Sequence, residues 1–242
     1  MTSRAFCRNG LILAALLLAV PGQAVSLRVA PTTLELAAPQ AAASLLLRNE
    51  GDRPLNAQIR VFRWSQKDGA DRLEPVTGVV VSPPIATIKP NADYMVRVVR
   101  VDKSPVADEE AYRVVVDELP DPSRRRAQAV NFVLRFSVPL FFHSTQAAPP
   151  QVRWTVHPHG DAVTVTATNA GRRHLRVANL QMRDSTGRSV MLRSGLVGYV
   201  LGGSSVQWSF PVSGGWSGGS VMLSADSDTG RIDAPAAMQP QH

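Results

Sequence analysis

Alternation of apolar and polar residues is the dominant pattern of this chain after about its first two dozen positions. A period of two places every second side chain on one face of an extended strand, whereas a helix repeats its apolar residues every three or four positions. Gly, Pro, Asn and Asp interrupt the alternation at intervals of about 8–12 residues, a spacing typical of sandwiches and barrels. The pattern therefore predicts an all-β protein.

The strand candidates fall into two groups, separated by a short segment at 144–150 that ends in two adjacent prolines. Proline lacks the N–H that a sheet requires, so this segment is predicted to be a linker. We expect two β-sandwich domains in tandem, at 25–143 and 151–233. The last residues, 234–242, are predicted to form a disordered tail.

Residues 1–24 have the pattern of a secretory signal peptide. Arg4 and Arg8 precede an apolar run at 11–20, and small residues follow it. The run is about half of the roughly 20 residues that a membrane-spanning helix needs. We therefore expect cleavage and a mature protein without stable membrane insertion, with an uncleaved anchor as the alternative. The single cysteine, Cys7, lies in this segment, so the mature chain is predicted to fold without disulfides.

Charge and motifs argue against several classes of function. The chain carries a formal net charge of +7 but no dense basic stripe with interleaved aromatic residues, so nucleic-acid binding is not expected. It contains no nucleophile elbow, phosphate loop or dinucleotide fingerprint. His157 and His159 are close in sequence, but Asp161 is the only carboxylate nearby, which is a poor metal site. We expect neither catalysis nor a metal or other cofactor.

The segment 130–142 is the longest alternating run. Thirteen extended residues span roughly 44 Å, whereas ordinary strands have about 5–6 residues. A single sandwich cannot cover so long an apolar face, and proteins normally avoid such exposed strands because they promote aggregation. The apolar side chains that share this face are Val130, Phe132, Leu134, Phe136, Val138, Leu140 and Phe142.

Strand addition is the use that we infer for this segment. An edge strand offers unpaired backbone groups for affinity, and its alternate side chains can fill a partner's pockets. Pro139 has no N–H, so we expect strand pairing to weaken there, with a donor part at 130–136 and a structural part at 138–142. Four buried donor side chains are worth about 6–12 kcal/mol before costs. They are Val130, Phe132, Leu134 and Phe136.

An ordered set of short motifs runs along most of the chain. The motifs are AVSLRVAP at 24–31, LRNEG at 47–51, PPIA at 83–86, MVRV at 95–98, YRV to ELP at 112–120 and NAGRRH at 169–174. In this order they resemble the PapD-like periplasmic chaperones of chaperone–usher pili. No single motif is specific, and the resemblance depends on the set.

The resemblance implies two immunoglobulin-like domains and a periplasmic location. It also implies that the last strand of the first domain is lent to a pilin subunit that lacks its own, and that the subunit then passes to an outer-membrane usher. The matching donor positions are the four side chains named above. The alternative is a secreted structural or adhesive β-sandwich protein of a pilus or cell surface.

The sequence departs from the best-known relatives at the anchor for the subunit's C-terminal carboxylate. Those relatives use an Arg on the first strand and a Lys on the donor strand, and the matching positions here are Thr33 and Pro139. The chain therefore resembles a divergent or archaic branch. Arg97 and Arg113 are the candidate replacement cations, although each also fits an ordinary structural arginine.

Overall fold

Every regular element in the described part of the chain is a strand, as the alternation predicts. The computed structural model describes residues 27–120, 133–212, 216 and 219–238. The signal peptide predicted at 1–24 and the donor positions Val130 and Phe132 lie outside these residues. In the described ranges, no helix has the length and apolar character needed to cross a bilayer.

The first ten strands form two sheets. Sheet A has the order β1-β3-β8-β6 and sheet B the order β2-β10-β9-β4-β5, with β7 also beside β4. The strands of sheet A are β1 (Leu27–Ala30), β3 (Ala42–Asn49), β6 (Val79–Ser82) and β8 (Asp93–Arg100). Those of sheet B are β2 (Leu34–Ala37), β4 (Leu55–Lys67), β5 (Ala70–Pro75), β7 (Ile85–Ile88), β9 (Glu109–Leu119) and β10 (Arg135–His143).

The two sheets enclose the first hydrophobic core between their inward faces. Alternate residues of each strand point inward, so the apolar members of the period-two pattern meet there. Tyr112 and Phe142 pack edge to face, with ring centroids 5.9 Å apart. The largest fully buried side chains of this core are Leu27, Leu45, Leu47, Ile59, Ile88, Leu140 and Phe142.

The remaining seven strands form one continuous sheet, sheet C, around a second core. Its order is β14-β13-β16-β17-β11-β12-β15, and its ends approach each other: a Cβ on Gly198 of β14 would lie 3.1 Å from Trp208 Nε1 on β15. Phe210, Leu180 and Met182 are buried inside. The strands are β11 (Val152–His159), β12 (Ala162–Asn169), β13 (Leu175–Arg183), β14 (Ser189–Val200), β15 (Ser205–Pro211), β16 (Ser220–Ser227) and β17 (Gly230–Met238).

The prediction of a disordered tail at 234–242 is wrong for residues 234–238, because they belong to β17. This strand pairs with β16 on one side and, from Ala236, with β11 on the other. Residues 234–237 are small apolar residues and Pro235. The strand is held mainly by backbone pairing, which side-chain alternation does not reveal. Residues 239–242 lie outside the described part of the chain.

Each sandwich has a buried asparagine that organises a turn. Asn49 donates to the carbonyls of Arg53 and Ile88 and accepts the N–H of Gly51. Asn169 repeats the arrangement: its amide donates to the carbonyls of Arg173 (2.8 Å) and Val200 (3.1 Å). Its side-chain oxygen accepts the N–H groups of Gly171 and Gln151, each at 2.9 Å. These bonds satisfy backbone groups that would otherwise be buried without partners.

Gly171 leaves room for the linker to pass. A Cβ at this position would lie 2.1 Å from the carbonyl oxygen of Pro149 and 2.8 Å from the nitrogen of Gln151. Only glycine permits so close an approach between two backbones. Asn169 and Gly171 together therefore fix where the chain enters the second sandwich.

Asn169→Ala is expected to lower the free energy of unfolding by about 2–3 kcal/mol, because it removes four bonds and leaves buried backbone groups unsatisfied. Urea unfolding followed by tryptophan fluorescence measures the change. Asn56→Ala is the matched control, since Asn56 is exposed and should change stability by less than about 0.5 kcal/mol. Equal effects of the two substitutions would contradict this role.

Candidate functional site

The two edges of β10 differ in how much of their length is paired. Towards β9 the register is unbroken from Arg135, opposite Asp117, to His143, opposite Glu109. Towards β2 the pairing begins only at Leu140, opposite Leu34. No other described strand pairs with this second edge before Leu140. The part of β10 before Leu140 therefore presents an open edge.

Backbone geometry shows which residues face the open edge. The Glu118 N–H donates to the Leu134 carbonyl (2.9 Å), and in an antiparallel pair the bonded residues alternate. Even-numbered residues of β10 thus bond to β9, while Arg135, Ser137 and Pro139 direct their backbone groups away from it. On the β2 side the His143 carbonyl accepts the Ala38 N–H, which agrees with this alternation.

The prediction that strand pairing weakens at Pro139 is wrong for the β9 side, where the register continues opposite Arg113. The nitrogen of Pro139 faces the other edge, so its missing N–H costs the β9 ladder nothing. Pro139 instead stands directly before the point at which β2 begins to pair. It marks the boundary between the open and the covered part of that edge.

The two predicted donor residues that the structure describes lie together on the inward face of the chain, Leu134 directly before β10 and Phe136 within it. Leu134 and Phe136 are partly buried and pack against the first core. Val133 is 52% exposed. The structure therefore brings Leu134 and Phe136 to one face beside the open edge, as the alternation predicts.

A charged group lies on the outward face beside this edge. Asp117 of β9 pairs with Arg135 of β10 and, at 2.6 Å, with Arg60 of β4. Burial alone raises the pKa of Asp117, but bonds from Arg135 and Arg60 outweigh it, and the pKa stands below its ordinary value. Arg135 remains largely exposed. A charged side chain at this position suppresses non-specific pairing of the edge.

Of the two candidate anchors, the structure places only Arg113 near the positions that lack the usual cations. Arg113 lies opposite Pro139, and its guanidinium carbon is 3.7 Å from the Trp64 ring centroid and 5.5 Å from that of Tyr199. The hydroxyl of Thr33 is 3.5 Å from the Tyr199 hydroxyl. Arg113 and Thr33 thus meet the same aromatic side chain of the second sandwich.

Arg113 is a nearly buried cation. Its side chain is 15% exposed, and Asp71 contacts it at 3.9 Å. Burial lowers the pKa of the guanidinium, although an arginine remains charged throughout the physiological range. Arg97 is exposed on sheet A, opposite Ser44 and Ser82, and is not brought to this region.

A third hydrophobic cluster, the boundary cluster, joins the two sandwiches. It consists of Trp64, Ala111 and Phe141 from sheet B and of Tyr199 and Leu201 from the second sandwich. Gln66 of β4 reinforces it: its amide donates to the Tyr199 carbonyl and its oxygen accepts the Leu201 N–H, each at 2.8 Å. The sequence did not point to Gln66, because its partners are more than 130 positions away.

Two immunoglobulin-like sandwiches follow one another along the chain, and the last strand of the first has one edge that no described strand pairs with before Leu140. The family model described as pili and flagellar-assembly chaperone, PapD N-terminal domain, matches residues 26–147. The chain belongs to this family. No curated protein matches the chain significantly.

Solved structures show the same fold. A chain of the CsuC–CsuE chaperone–tip adhesion subunit pre-assembly complex, from archaic Csu pili of Acinetobacter baumannii, is similar with 25% identity and a TM-score of 0.68; the match covers 89% of this chain and 100% of that one. The CupB2 chaperone of Pseudomonas aeruginosa has 19% identity and a TM-score of 0.57, with 88% and 100% covered. A chain of the SafA pilin–SafB chaperone complex of Salmonella enterica has 19% identity and a TM-score of 0.57, with 87% and 94% covered. The predicted all-β tandem fold and the resemblance to an archaic chaperone branch are confirmed.

Ser137→Pro is expected to change the free energy of unfolding by less than about 1 kcal/mol, because the Ser137 N–H faces the open edge. Val138→Pro removes an N–H that faces β9 and should cost about 3 kcal/mol or more. Urea unfolding of both variants checks this, with Val138→Ala to account for the lost side chain. A similar loss for Ser137→Pro and Val138→Pro would show that the edge is not open there.

Proposed function

We propose that this protein is a periplasmic chaperone that binds pilin subunits by lending them the strand segment 130–136, and that it passes them to an outer-membrane usher. The open edge of β10 is the observation that carries the proposal. Family membership supports a role in pilus assembly, and the similar Csu and Saf structures come from complexes with a tip subunit and a pilin.

The open edge supplies the two kinds of contact that strand addition needs. Arg135 and Ser137 offer backbone N–H and C=O groups to an incoming strand, whereas the C=O of Pro139 already faces Leu34 of β2, where pairing with β2 begins. Leu134 and Phe136 stand next to this edge with part of their surface still exposed. A subunit that lacks its last strand would pair with these groups and cover the remaining apolar surface.

Release requires no catalysis in this scheme. A segment of a neighbouring subunit can replace the lent strand, because both make the same backbone bonds. The free energy for assembly then comes from folding and packing of the subunit, without a nucleotide or cofactor. We therefore propose a non-enzymatic function.

The proposed donor residues are Val130, Phe132, Leu134 and Phe136. Leu134→Asp and Phe132→Asp should each weaken a 1:1 complex with a co-expressed pilin subunit by roughly 10–100-fold, since each loses about 1.5–3 kcal/mol of apolar burial. Size-exclusion chromatography and calorimetry measure the complex. Val133→Asp is the matched control, because Val133 is exposed and belongs to the other set of alternating positions.

Urea unfolding of the free variants separates a binding defect from a folding defect. The donor assignment fails if Leu134→Asp and Phe132→Asp bind the subunit as tightly as the wild-type protein does. A purified protein that polymerises into fibres by itself would favour the alternative function, a structural pilus component.

Arg113 is the better-placed candidate for anchoring the subunit's C-terminal carboxylate. It is nearly buried opposite Pro139 and meets the same Tyr199 side chain as Thr33, and Asp71 at 3.9 Å leaves its charge only loosely paired. A carboxylate that reaches this boundary would gain a charge-assisted bond in a partly desolvated site. Arg97, exposed on the other sheet, supplies no comparable position and serves as the comparison residue.

Arg113→Gln should reduce affinity for a pilin subunit by about tenfold or more, since bonds to charged groups are worth about 1.5–3 kcal/mol, while Arg97→Gln should leave affinity unchanged. The subunit provides an independent control: a one-residue C-terminal extension should weaken binding to wild-type protein but not weaken binding to Arg113→Gln further. Additive effects of extension and substitution would disprove the anchor role even if Arg113→Gln is less stable.

A further inference from the structure

One imidazole of the second sandwich is enclosed by three neighbouring strands of sheet B. The side chain of His174 is 4% exposed and lies flat on Phe141 of β10, with ring centroids 3.6 Å apart and an interplanar angle of 8°. Its Nδ1 is 2.9 Å from Glu109 Oε2 of β9, and its Nε2 is 3.6 Å from Glu35 Oε1 of β2. The other Glu109 oxygen accepts the His174 backbone N–H at 2.8 Å.

Both ring nitrogens of His174 therefore face carboxylates. A neutral imidazole carries only one N–H, so only the doubly protonated ring can satisfy Glu109 and Glu35 together. Loss of that proton would turn a nitrogen lone pair towards a carboxylate. The side chain of Glu109 is only 3% exposed, so its negative charge would lose the nearest positive charge at a site that water does not reach.

Other charged and titratable groups surround His174, and they come from the strands of both sandwiches that pack against it. Arg173 contacts Glu35 at 3.4 Å and Glu109 at 3.8 Å, and Arg176 contacts Asp228 at 3.4 Å. The carboxylate of Asp228 lies within 4.8 Å of a ring nitrogen of His174. The surrounding groups are Glu35 of β2, Glu109 of β9, His143 of β10, Arg173, Arg176 of β13, Tyr199 of β14 and Asp228 after β16.

Charge around the ring favours the protonated form. Burial alone lowers the pKa of His174, but the carboxylates of Glu109 and Glu35 outweigh it, and the pKa stands above its ordinary value of 6.5. The nearby imidazolium of His174, 3.6 Å away, in turn lowers the pKa of Glu35 below its ordinary 4.5, against a smaller opposing effect of burial.

We propose that His174 is a pH-sensitive latch between the two sandwiches: its doubly protonated ring holds sheet B and the second sandwich together, and loss of one proton loosens them. This goes beyond subunit binding, because the latch acts on the free protein. It reaches the structural part of β10 directly, since Phe141 stacks on the ring and Glu35 lies opposite Phe141 in the β2–β10 pairing.

The direction of the pH dependence follows from the pKa values of His174 and Glu35. A raised His174 pKa stabilises the folded protein fully below pH 6.5, and this contribution is lost as pH rises through the higher folded-state pKa. A lowered Glu35 pKa contributes above pH 4.5 and is lost as pH falls through the folded-state value. The latch is therefore strongest between about pH 4.5 and 6.5 and weakens on the alkaline side.

Histidine-ring NMR titration of the full mature protein is the direct test, with His174→Gln to assign the resonance. We expect the pKa of His174 to lie above 6.5, because both of its ring nitrogens face carboxylates. The urea midpoint should fall between about pH 6 and pH 9 in the wild-type protein. His174→Gln should remove the part of this decrease that His174 causes. His157→Gln, a substitution on β11, should leave the decrease unchanged.

Small-angle scattering at about pH 6 and pH 9 supplies the structural readout. The radius of gyration should rise at the higher pH in wild-type protein and be raised at both values in His174→Gln. A His174 pKa at or below 6.5 would overturn the proposal, as would an unchanged pH slope in His174→Gln. If His174→Gln does not fold, the NMR titration of the wild-type protein alone decides the question. The His174 resonance is then assigned with Glu35→Gln, which should lower the pKa of His174.

Discussion

The unequal pairing of the two edges of β10 is the constraint on which the rest of this structure depends. The chain crosses from sheet A to sheet B between β1 and β2, so β2 covers β10 only from Leu140 onward. The preceding residues keep one edge of backbone groups unpaired, which most proteins avoid. Arg135 and Pro139 limit non-specific pairing there by charge and by a missing N–H, without disturbing the β9 ladder.

The covered half of β10 links the open edge to the domain boundary. Phe141 belongs to the boundary cluster and stacks on His174, so one side chain joins sheet B to the second sandwich in two ways, and within sheet B it lies opposite Glu35. Arg113, beside Pro139, contacts Trp64 and Tyr199 of the same cluster. Lending a strand, anchoring a carboxylate and orienting the two sandwiches would therefore depend on a few neighbouring residues.

Residue patterns predicted the strands themselves better than they predicted which strands lie next to each other. Alternation identified most of the strands, although not β5 or β17, and the inward face that carries Leu134 and Phe136, because a period of two is a local property. It failed at residues 234–237, where β17 carries only alanines and a proline. The prediction for Pro139, made from its missing N–H, was wrong because the register with β9 decides which edge a backbone nitrogen faces. Arg97 and Arg113 were equivalent as sequence candidates, since nothing local tells which sheet or face a strand arginine occupies.

The sequence by itself therefore determined an all-β chain, its division near 144–150, and which side chains of each strand share a face. Tertiary structure alone decided that β2 covers β10 only from Leu140, that Arg113 lies against Tyr199, and that His174 sits between Glu109 and Glu35. The reason is physical: strand faces follow from backbone geometry within a few residues, whereas edges and charge partners follow from pairing between segments many positions apart. His174 lies 65 positions from Glu109, and no periodicity in the chain connects the two.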